Sequence, residues 1–329
     1  MILNALSKRN VKNHDLFELA AKRATSMIGT FTSQGLAITV NAYAKIGYES
    51  PALFEAVADT AIPILGTFNP QNLANTVNAY AKMGYHSPTL FEAVADASIP
   101  ILGTFNPQDL ANTVAAYAKL RHKCTATLSL FQNCANVIKS KSSLVEWKPE
   151  ELSGVAYAFM KAQNCDQELL DSLGKELLLR DETFGFDSRF CGNLAAAFSY
   201  SDSKIGACTL KLIFQKWQEL DKKQIALESV ADVVGSIPAG QRMGIVPSGF
   251  AEELAELAIE KCGEARMEDV RDILIRYSKM ENLDDELYEK LLAAYAPLLT
   301  KFISQMNSKR VQEIRRFYAV YPSWETVEQ

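Results

Sequence analysis

Amide and lysine side chains recur at a fixed interval in the first third of the chain. Counted from Phe31, Phe68 and Phe105, which stand 37 residues apart, positions +3, +7, +10 and +14 hold mostly glutamine, asparagine and lysine. Amides can donate to and accept from the edges of nucleic-acid bases, and a lysine ammonium neutralises phosphate. The spacing therefore predicts a surface stripe that binds RNA. Its members are Gln34, Asn41 and Lys45 in the first copy, Gln71, Asn75, Asn78 and Lys82 in the second, and Gln108, Asn112 and Lys119 in the third.

The stripe must be carried by repeated pairs of helices. The segment "FNPQNLANTVNAYAKMGYHSPTLFEAVADASIPILGT" at 68–104 has a blurred copy from residue 31 and starts again at residue 105. In the second copy Asn69-Pro70 and Ser87-Pro88 each open a helix, and Gly84 and Gly103 close them, which predicts two helices, A and B, per repeat. One face of helix A is predicted core, and it holds Leu73, Val77, Tyr80, Ala81 and Gly84. Pro63 and Pro100 lie deep in helix B, so we expect them to bend or shorten it.

The repeat continues towards the C-terminus with lower fidelity. Segments beginning at Trp147, Phe186 and Ile225 follow the third copy at intervals of 42, 39 and 39 residues. Further on, "YSKMENLDDELYEKLLAAYAPLLTKF" aligns with the second copy, and Pro297 falls in register with Pro100. The sequence therefore predicts an all-α fold, an α-solenoid of about seven helical-hairpin repeats of 37 to 42 residues with capping half-repeats.

Four segments follow from this alignment. They are an N-terminal half-repeat at 1–30, three regular repeats at 31–146, divergent repeats at 147–301, and a C-terminal capping helix and tail at 302–329. Within the divergent repeats, "GSIPAGQRMGIVPSG" predicts a glycine-rich loop at 235–249, and it lacks the Gly-Lys-Ser/Thr ending of a phosphate-binding loop.

The two halves of the chain differ in charge. Residues 1–150 carry 13 Lys or Arg against 10 Asp or Glu, whereas residues 151–329 carry 21 against 29. Because acidic surfaces repel phosphate, we expect RNA contacts in the first half, including Arg121 and Lys123 beside the stripe. The acidic second half is expected to contact proteins, with Glu252, Glu253 and Glu256 as candidates.

Other interpretations of the same residues stay open at this point. Asn75 and Asn112 can hydrogen-bond neighbouring repeats as an internal ladder, and lysine is favoured at a helix C-terminus by the helix dipole. Contact with a protein is a third interpretation of the stripe. Clusters of basic residues are also common on solvated surfaces that bind nothing.

The sequence offers little for catalysis. His14, His86 and His122 stand near repeat boundaries, and six cysteines are scattered without a Cys-x-x-Cys pair. Neither pattern has the spacing of a metal site or of a nucleophile with its base. We therefore expect no enzyme, no metal, no cofactor and no small-molecule substrate. There is no run of 18 apolar residues, which predicts a protein that does not span a membrane.

The phrase "FNPQxLANTVxAYAKMGYxSPxLFEAVA" resembles the octotricopeptide and heptatricopeptide repeat proteins, an organellar helical-repeat family related to proteins with FAST-kinase-like and RAP domains. The resemblance is specific over residues 31–120, and no RAP domain is recognisable after Val320. It implies a mitochondrial location, or alternatively a plastid one, with organellar RNA (rRNA or mRNA) and proteins of a larger assembly as partners. We therefore expect a non-catalytic component of a mitochondrial ribosome or of an RNA-processing or translation particle. The alternative is a protein-only scaffold or accessory subunit of a mitochondrial complex, including a membrane-associated one.

Overall fold

The computed structural model describes residues 7, 9, 13–121, 124–278, 280 and 285–304. Within these residues the chain forms fifteen α-helices and five short 3-10 helices, and none of them adopts a β-strand. The described residues divide into two compact units, one within 1–185 and 200–209 and the other within 186–199 and 210–304.

Seven helix pairs follow an initial helix, α1 (His14–Ser26), in the described part of the chain. The first helix of each pair is an A helix and the second a B helix. The A helices are α2 (Ser33–Ile46), α4 (Pro70–Met83), α6 (Pro107–Leu120), α8 (Pro149–Lys161), α10 (Ser188–Phe198), α12 (Leu227–Arg242) and α14 (Met267–Tyr277). The B helices are α3 (Pro51–Ala61), α5 (Pro88–Ser98), α7 (Thr125–Lys139), α9 (Gln167–Leu179), α11 (Lys204–Gln218), α13 (Phe250–Glu260) and α15 (Asp285–Ser304). The predicted all-α repeat fold is confirmed.

The helices of the first unit form two layers. The A helices α2, α4, α6 and α8 pack side by side in chain order, and α1, α3, α5, α7 and α9 pack in the same way in the other layer. In the second unit, α10 packs on α12, α12 packs on α14, and α13 packs on α15. Equivalent positions of neighbouring A helices therefore lie next to each other within each unit.

Helix α4 shows why the repeat folds in this way. The side chain of Asn69 accepts a hydrogen bond from the backbone N–H of Asn72 at 2.8 Å and so caps the N-terminus. Gly84 ends the helix in the left-handed conformation, with φ of 71°. Leu73, Val77, Tyr80 and Ala81 are buried, so the predicted core stripe is confirmed for these four residues. Gly84, its fifth predicted member, is exposed because it lies at the C-terminal cap of the helix.

A tyrosine hydroxyl joins each A helix of the regular repeats to the preceding B helix. Each donates to a backbone carbonyl 26 residues earlier in the chain. The pairs are Tyr43 with Phe17 at 2.7 Å, Tyr80 with Phe54, and Tyr117 with Phe91 at 2.6 Å. Tyr277 repeats the bond in the second unit by donating to Ala251 at 3.2 Å. These bonds satisfy hydroxyls that would be costly to bury alone.

The prolines of the B helices mark a change of helix type. Helices α3 and α5 end at Ala61 and Ser98, and the chain continues as 3-10 helices at Ile62–Thr67 and Ile99–Thr104. Pro63 and Pro100 are the second residues of these segments, where the missing N–H ends the α-helical ladder. The predicted shortening of helix B is therefore confirmed. Pro297, in contrast, lies inside α15.

The predicted glycine-rich loop at 235–249 is wrong over its first half, because α12 continues to Arg242 with Pro238 inside it. Its glycines serve close packing. A Cβ on Gly240 would lie 2.7 Å from the ring of Phe214, and one on Gly235 would lie 2.7 Å from the guanidinium of Arg276. Glycine is present here because neighbouring side chains occupy the space, and the connection is limited to the residues between α12 and α13.

The described residues include only the beginning of the expected capping segment at 302–329. Helix α15 extends to Ser304, past the expected start of the capping segment at 302, and the rest of 302–329 lies outside the described residues. No described helix combines the length and the apolar character that crossing a membrane requires.

Candidate nucleic-acid interface

The predicted stripe lies on the surface of α2, α4 and α6. The glutamines and lysines at its two ends are exposed, and the asparagines between them are half-buried. Because the three A helices pack side by side, the three sets of side chains form one continuous surface. The exposed members are Gln34, Gln71, Gln108, Lys45, Lys82 and Lys119, and the half-buried members are Asn41, Asn75, Asn78 and Asn112.

The lysines of the stripe form an electrostatically coupled row. Partial burial lowers the pKa of Lys82, and the positive charges of Lys45 and Lys119 lower it further. Lys82 lies on α4, and it is therefore close enough to Lys45 on α2 and to Lys119 on α6 to be repelled by both. None of the three lysines forms an ion pair with any residue that the structure describes. Repulsion without a compensating carboxylate favours binding of an anion.

The amides of the stripe are not used within the fold. The side chains of Asn41, Asn75, Asn78 and Asn112 form no hydrogen bond with any described residue. The internal asparagine ladder is therefore absent from the described structure, and the tyrosine hydroxyls connect the repeats instead. Amides at a half-buried surface without protein partners retain their full capacity to bind base edges.

Two basic residues were predicted to extend the stripe. Arg121 is exposed and follows α6 in the left-handed conformation, with φ of 50° and ψ of 35°. Lys123 and the neighbouring His122 lie outside the described residues.

The lysine row continues into the fourth repeat, which the predicted site did not include. Lys161 stands at position +14 from Trp147 on α8, which packs against α6. Its ammonium lies over the ring of Tyr157, 5.3 Å from the ring centroid, and forms no ion pair with a described residue. The interval of 42 residues from Phe105 to Trp147 predicts a lysine at this position. The stripe pattern is nevertheless broken in this repeat, because Glu150 and Tyr157 replace the amides at +3 and +10.

The equivalent surface of the second unit has a different chemistry. Arg276 on α14 forms an ion pair with Asp232 on α12 at 3.0 Å and also donates to the carbonyl of Ala231. Arg266, which precedes α14, pairs with Glu228 on α12 at 2.7 Å. Glu228 and Asp232 occupy positions +3 and +7 of their repeat, where α4 and α6 carry amides that form no hydrogen bond with described residues.

The predicted protein-contact residues are only partly available. Glu252 and Glu256 on α13 are exposed. Glu253 accepts a hydrogen bond from Gln218 at 3.3 Å and forms an ion pair with Lys222 at 3.5 Å. Glu253 is therefore engaged within its own unit. Elsewhere in the described part of the chain, no group of His, Cys, Asp and Glu has the arrangement of a metal site.

The repeated helix pairs define an α-solenoid, and its first unit presents a surface of amides and lysines. More specifically, residues 1–167, half of the chain and the whole of the stripe, match the family described as RNA-editing substrate-binding complex 6 protein. The chain belongs to this family. The resemblance to octotricopeptide and heptatricopeptide proteins is thus confirmed only in its coarser sense, that of an RNA-associated helical protein. No curated protein matches the chain.

Proposed function

We propose that this protein is a non-catalytic mitochondrial scaffold that holds RNA on the A helices of its first unit within an RNA-editing substrate-binding complex. The observation that carries the proposal is the row of Lys45, Lys82 and Lys119, whose charges repel one another and meet no carboxylate among the described residues. The family match supports it, because the matched segment contains the row and the family's description names RNA editing.

The RNA on this surface is single-stranded. Half-buried asparagines can reach a base only if its edges are exposed, and the deep, narrow major groove of an RNA duplex hides them from side chains. In this arrangement the lysines hold phosphates and fix the position of the strand. The four asparagines then select among bases by hydrogen bonding.

The second unit supplies the contacts with proteins. Residues 251–300 contain 13 acidic and 6 basic side chains, and Glu252 and Glu256 are exposed on α13. This charge repels RNA and attracts a basic protein surface. The family description favours an editing complex over the ribosome as the assembly, and it gives the plastid alternative no support. A protein-only scaffold is the second candidate, favoured by the acidic charge of the second half.

The test is RNA affinity as a function of salt. Lys45, Lys82 and Lys119 are replaced together by Ala, and binding of a single-stranded RNA is measured by fluorescence anisotropy at several KCl concentrations. We expect a loss of affinity on the order of tenfold or more, because three phosphate contacts disappear. The slope of log K against log salt should fall by about 2, at about 0.7 for each contact with a single strand.

A matched control removes the same net charge elsewhere. Lys175, Lys204 and Lys211 are exposed on the B helices α9 and α11. Their joint replacement by Ala should leave the RNA affinity close to that of the parent protein. Equal losses in the two triple variants, both folded by circular dichroism, would refute a specific RNA surface and favour the protein-only scaffold.

A further inference from the structure

A cavity of about 550 Å³ lies between the third and fourth repeats of the first unit. Its apolar lining includes Leu128 of α7, which is exposed, and beneath it the buried side chains of Phe131 of α7 and Tyr117 of α6. Arg121, Lys161 and Asn164 supply the charged and polar part of the lining. The volume falls within the range of small-molecule sites, which combine apolar walls with a few polar groups.

The charge of this cavity is entirely positive. None of the described residues that line it is acidic, and neither Arg121 nor Lys161 forms an ion pair in the described part of the chain. The equivalent space between the first and second repeats, of about 440 Å³, is lined by Glu55 and Asp59 with His86. The two spaces share a position in the repeat but suit ligands of opposite charge.

Arg121 is held in an unfavourable backbone conformation. The equivalent residues of the first two repeats are Gly47 and Gly84, with φ of 72° and 71°. Arginine at φ of 50° is disfavoured because its Cβ crowds the backbone, and only glycine avoids this contact. A residue retained in such a conformation at a cavity is a candidate for a functional role.

We propose that this cavity binds one nucleotide of the RNA strand, with the phosphate held by Arg121 and Lys161 and the base against the exposed side chain of Leu128. The inference rests on the proposed function, because the nucleotide belongs to the RNA strand that the lysine row binds from α2 to α8. A guanidinium fits a phosphate with two parallel hydrogen bonds, and an apolar side chain can cover the face of a base of any sequence. The amide of Asn164 adds a group able to bind the base edge.

The test replaces Arg121 by Gly, the residue at the same position in the first two repeats. Glycine relieves the backbone strain, so Arg121→Gly should fold and melt at a higher temperature than the parent protein. At the same time it removes a phosphate contact, so we expect the affinity for single-stranded RNA to fall several-fold. A purely structural role predicts no loss of affinity from a variant that is more stable.

Lys175→Gln is the matched control for charge. Lys175 is exposed on α9, outside the cavity and the lysine row. Its replacement removes one positive charge, as Arg121→Gly does, so the RNA affinity should stay within twofold of the parent value. Lys161→Gln should weaken binding as Arg121→Gly does, although it leaves the backbone at residue 121 unchanged. Equal losses in Lys175→Gln and Lys161→Gln would assign the effect to overall charge, a loss in Arg121→Gly alone would assign it to the backbone, and either result would overturn the inference.

Three further outcomes separate the alternatives. If Arg121→Gly binds RNA like the parent protein while the stripe triple variant loses affinity, the cavity inference is wrong and the proposed function stands. If neither variant loses affinity, both are wrong. The third outcome comes from measuring the affinity of the parent protein and of Arg121→Gly for the four 5′-mononucleotides. If Arg121→Gly weakens binding of mononucleotides but not of RNA, the ligand is a free nucleotide and the inference about the strand is overturned.

Discussion

The outward positions of the A helices are open on α4 and α6 of the first unit and closed on α12 of the second. On α4 and α6 these positions carry Asn75 and Asn112, which form no hydrogen bond with described residues. On α12 they carry Glu228 and Asp232, which form ion pairs with Arg266 and Arg276 of the next repeat. The same repeat can therefore use its outward face for a ligand or for its own stability. The difference lies in whether an arginine on the next repeat reaches the position.

Removing the ion pair between Arg276 on α14 and Asp232 on α12 should have the largest effect on stability. Arg276→Met removes an ion pair between partly buried side chains and leaves the carbonyl of Ala231 without this donor. Because both groups retain some exposure, we expect a loss of about 2 kcal/mol in the free energy of unfolding, less than for a fully buried pair. Urea denaturation measures the change.

Arg271→Met is the control for this prediction. Arg271 pairs with Asp272 on the same helix, and its side chain is 57% exposed. Exposed pairs of this kind contribute little, so the stability should change by about 0.5 kcal/mol or less. A loss from Arg276→Met no larger than that of the control would mean that the second unit is not held by this ion pair.

Both units contain a tyrosine hydroxyl that donates to a carbonyl of the preceding helix, and its removal tests this shared feature of the repeats. Tyr80→Phe and Tyr277→Phe each remove one hydrogen bond to the preceding B helix and keep the ring. We expect each to cost about 1 kcal/mol in the free energy of unfolding, because a buried carbonyl loses its donor. The two losses should be similar, although the outward faces differ. Losses that differ by more than about 1 kcal/mol, measured by urea denaturation, would contradict a shared scaffold.

The smallest effect on stability is expected at the open face. Replacing Asn75 and Asn112 together by Ala removes no hydrogen bond within the described structure, so the free energy of unfolding should change by about 0.5 kcal/mol or less. The preference among oligo(U), oligo(A) and oligo(C) should change instead, because the amides contact bases. A loss of stability comparable to that of Tyr80→Phe would show that the amides are structural. Uniform weakening across the three RNAs would exclude base readout by these two residues.

The sequence predicted the features that depend on neighbouring residues. Asn69 with Pro70 and the glycine at 84 define α4 from within one helix, and the period of 37 residues places its core face. The glycines of α12 were misread, because their role depends on Phe214 and Arg276, which are distant in sequence. The ion pair of Arg276 with Asp232 joins residues 44 apart, and the cavity at Arg121 joins two repeats. Such contacts depend on tertiary packing, which single-chain patterns do not specify.

The tyrosine bonds also determine where the chain tolerates an insertion. Phe91 and Tyr117, whose rings lie 4.9 Å apart, are also joined by the hydroxyl of Tyr117, which donates to the carbonyl of Phe91, 26 residues earlier. Phe131 and Phe159 keep the same edge-to-face contact at 5.0 Å, but 28 residues separate them and no hydroxyl is present. An apolar contact is not directional, so it tolerates the small shift of the helices that a longer connector causes better than a hydrogen bond does. The connection between the third and fourth repeats is therefore the place in the first unit where the array can gain or lose residues and keep its core.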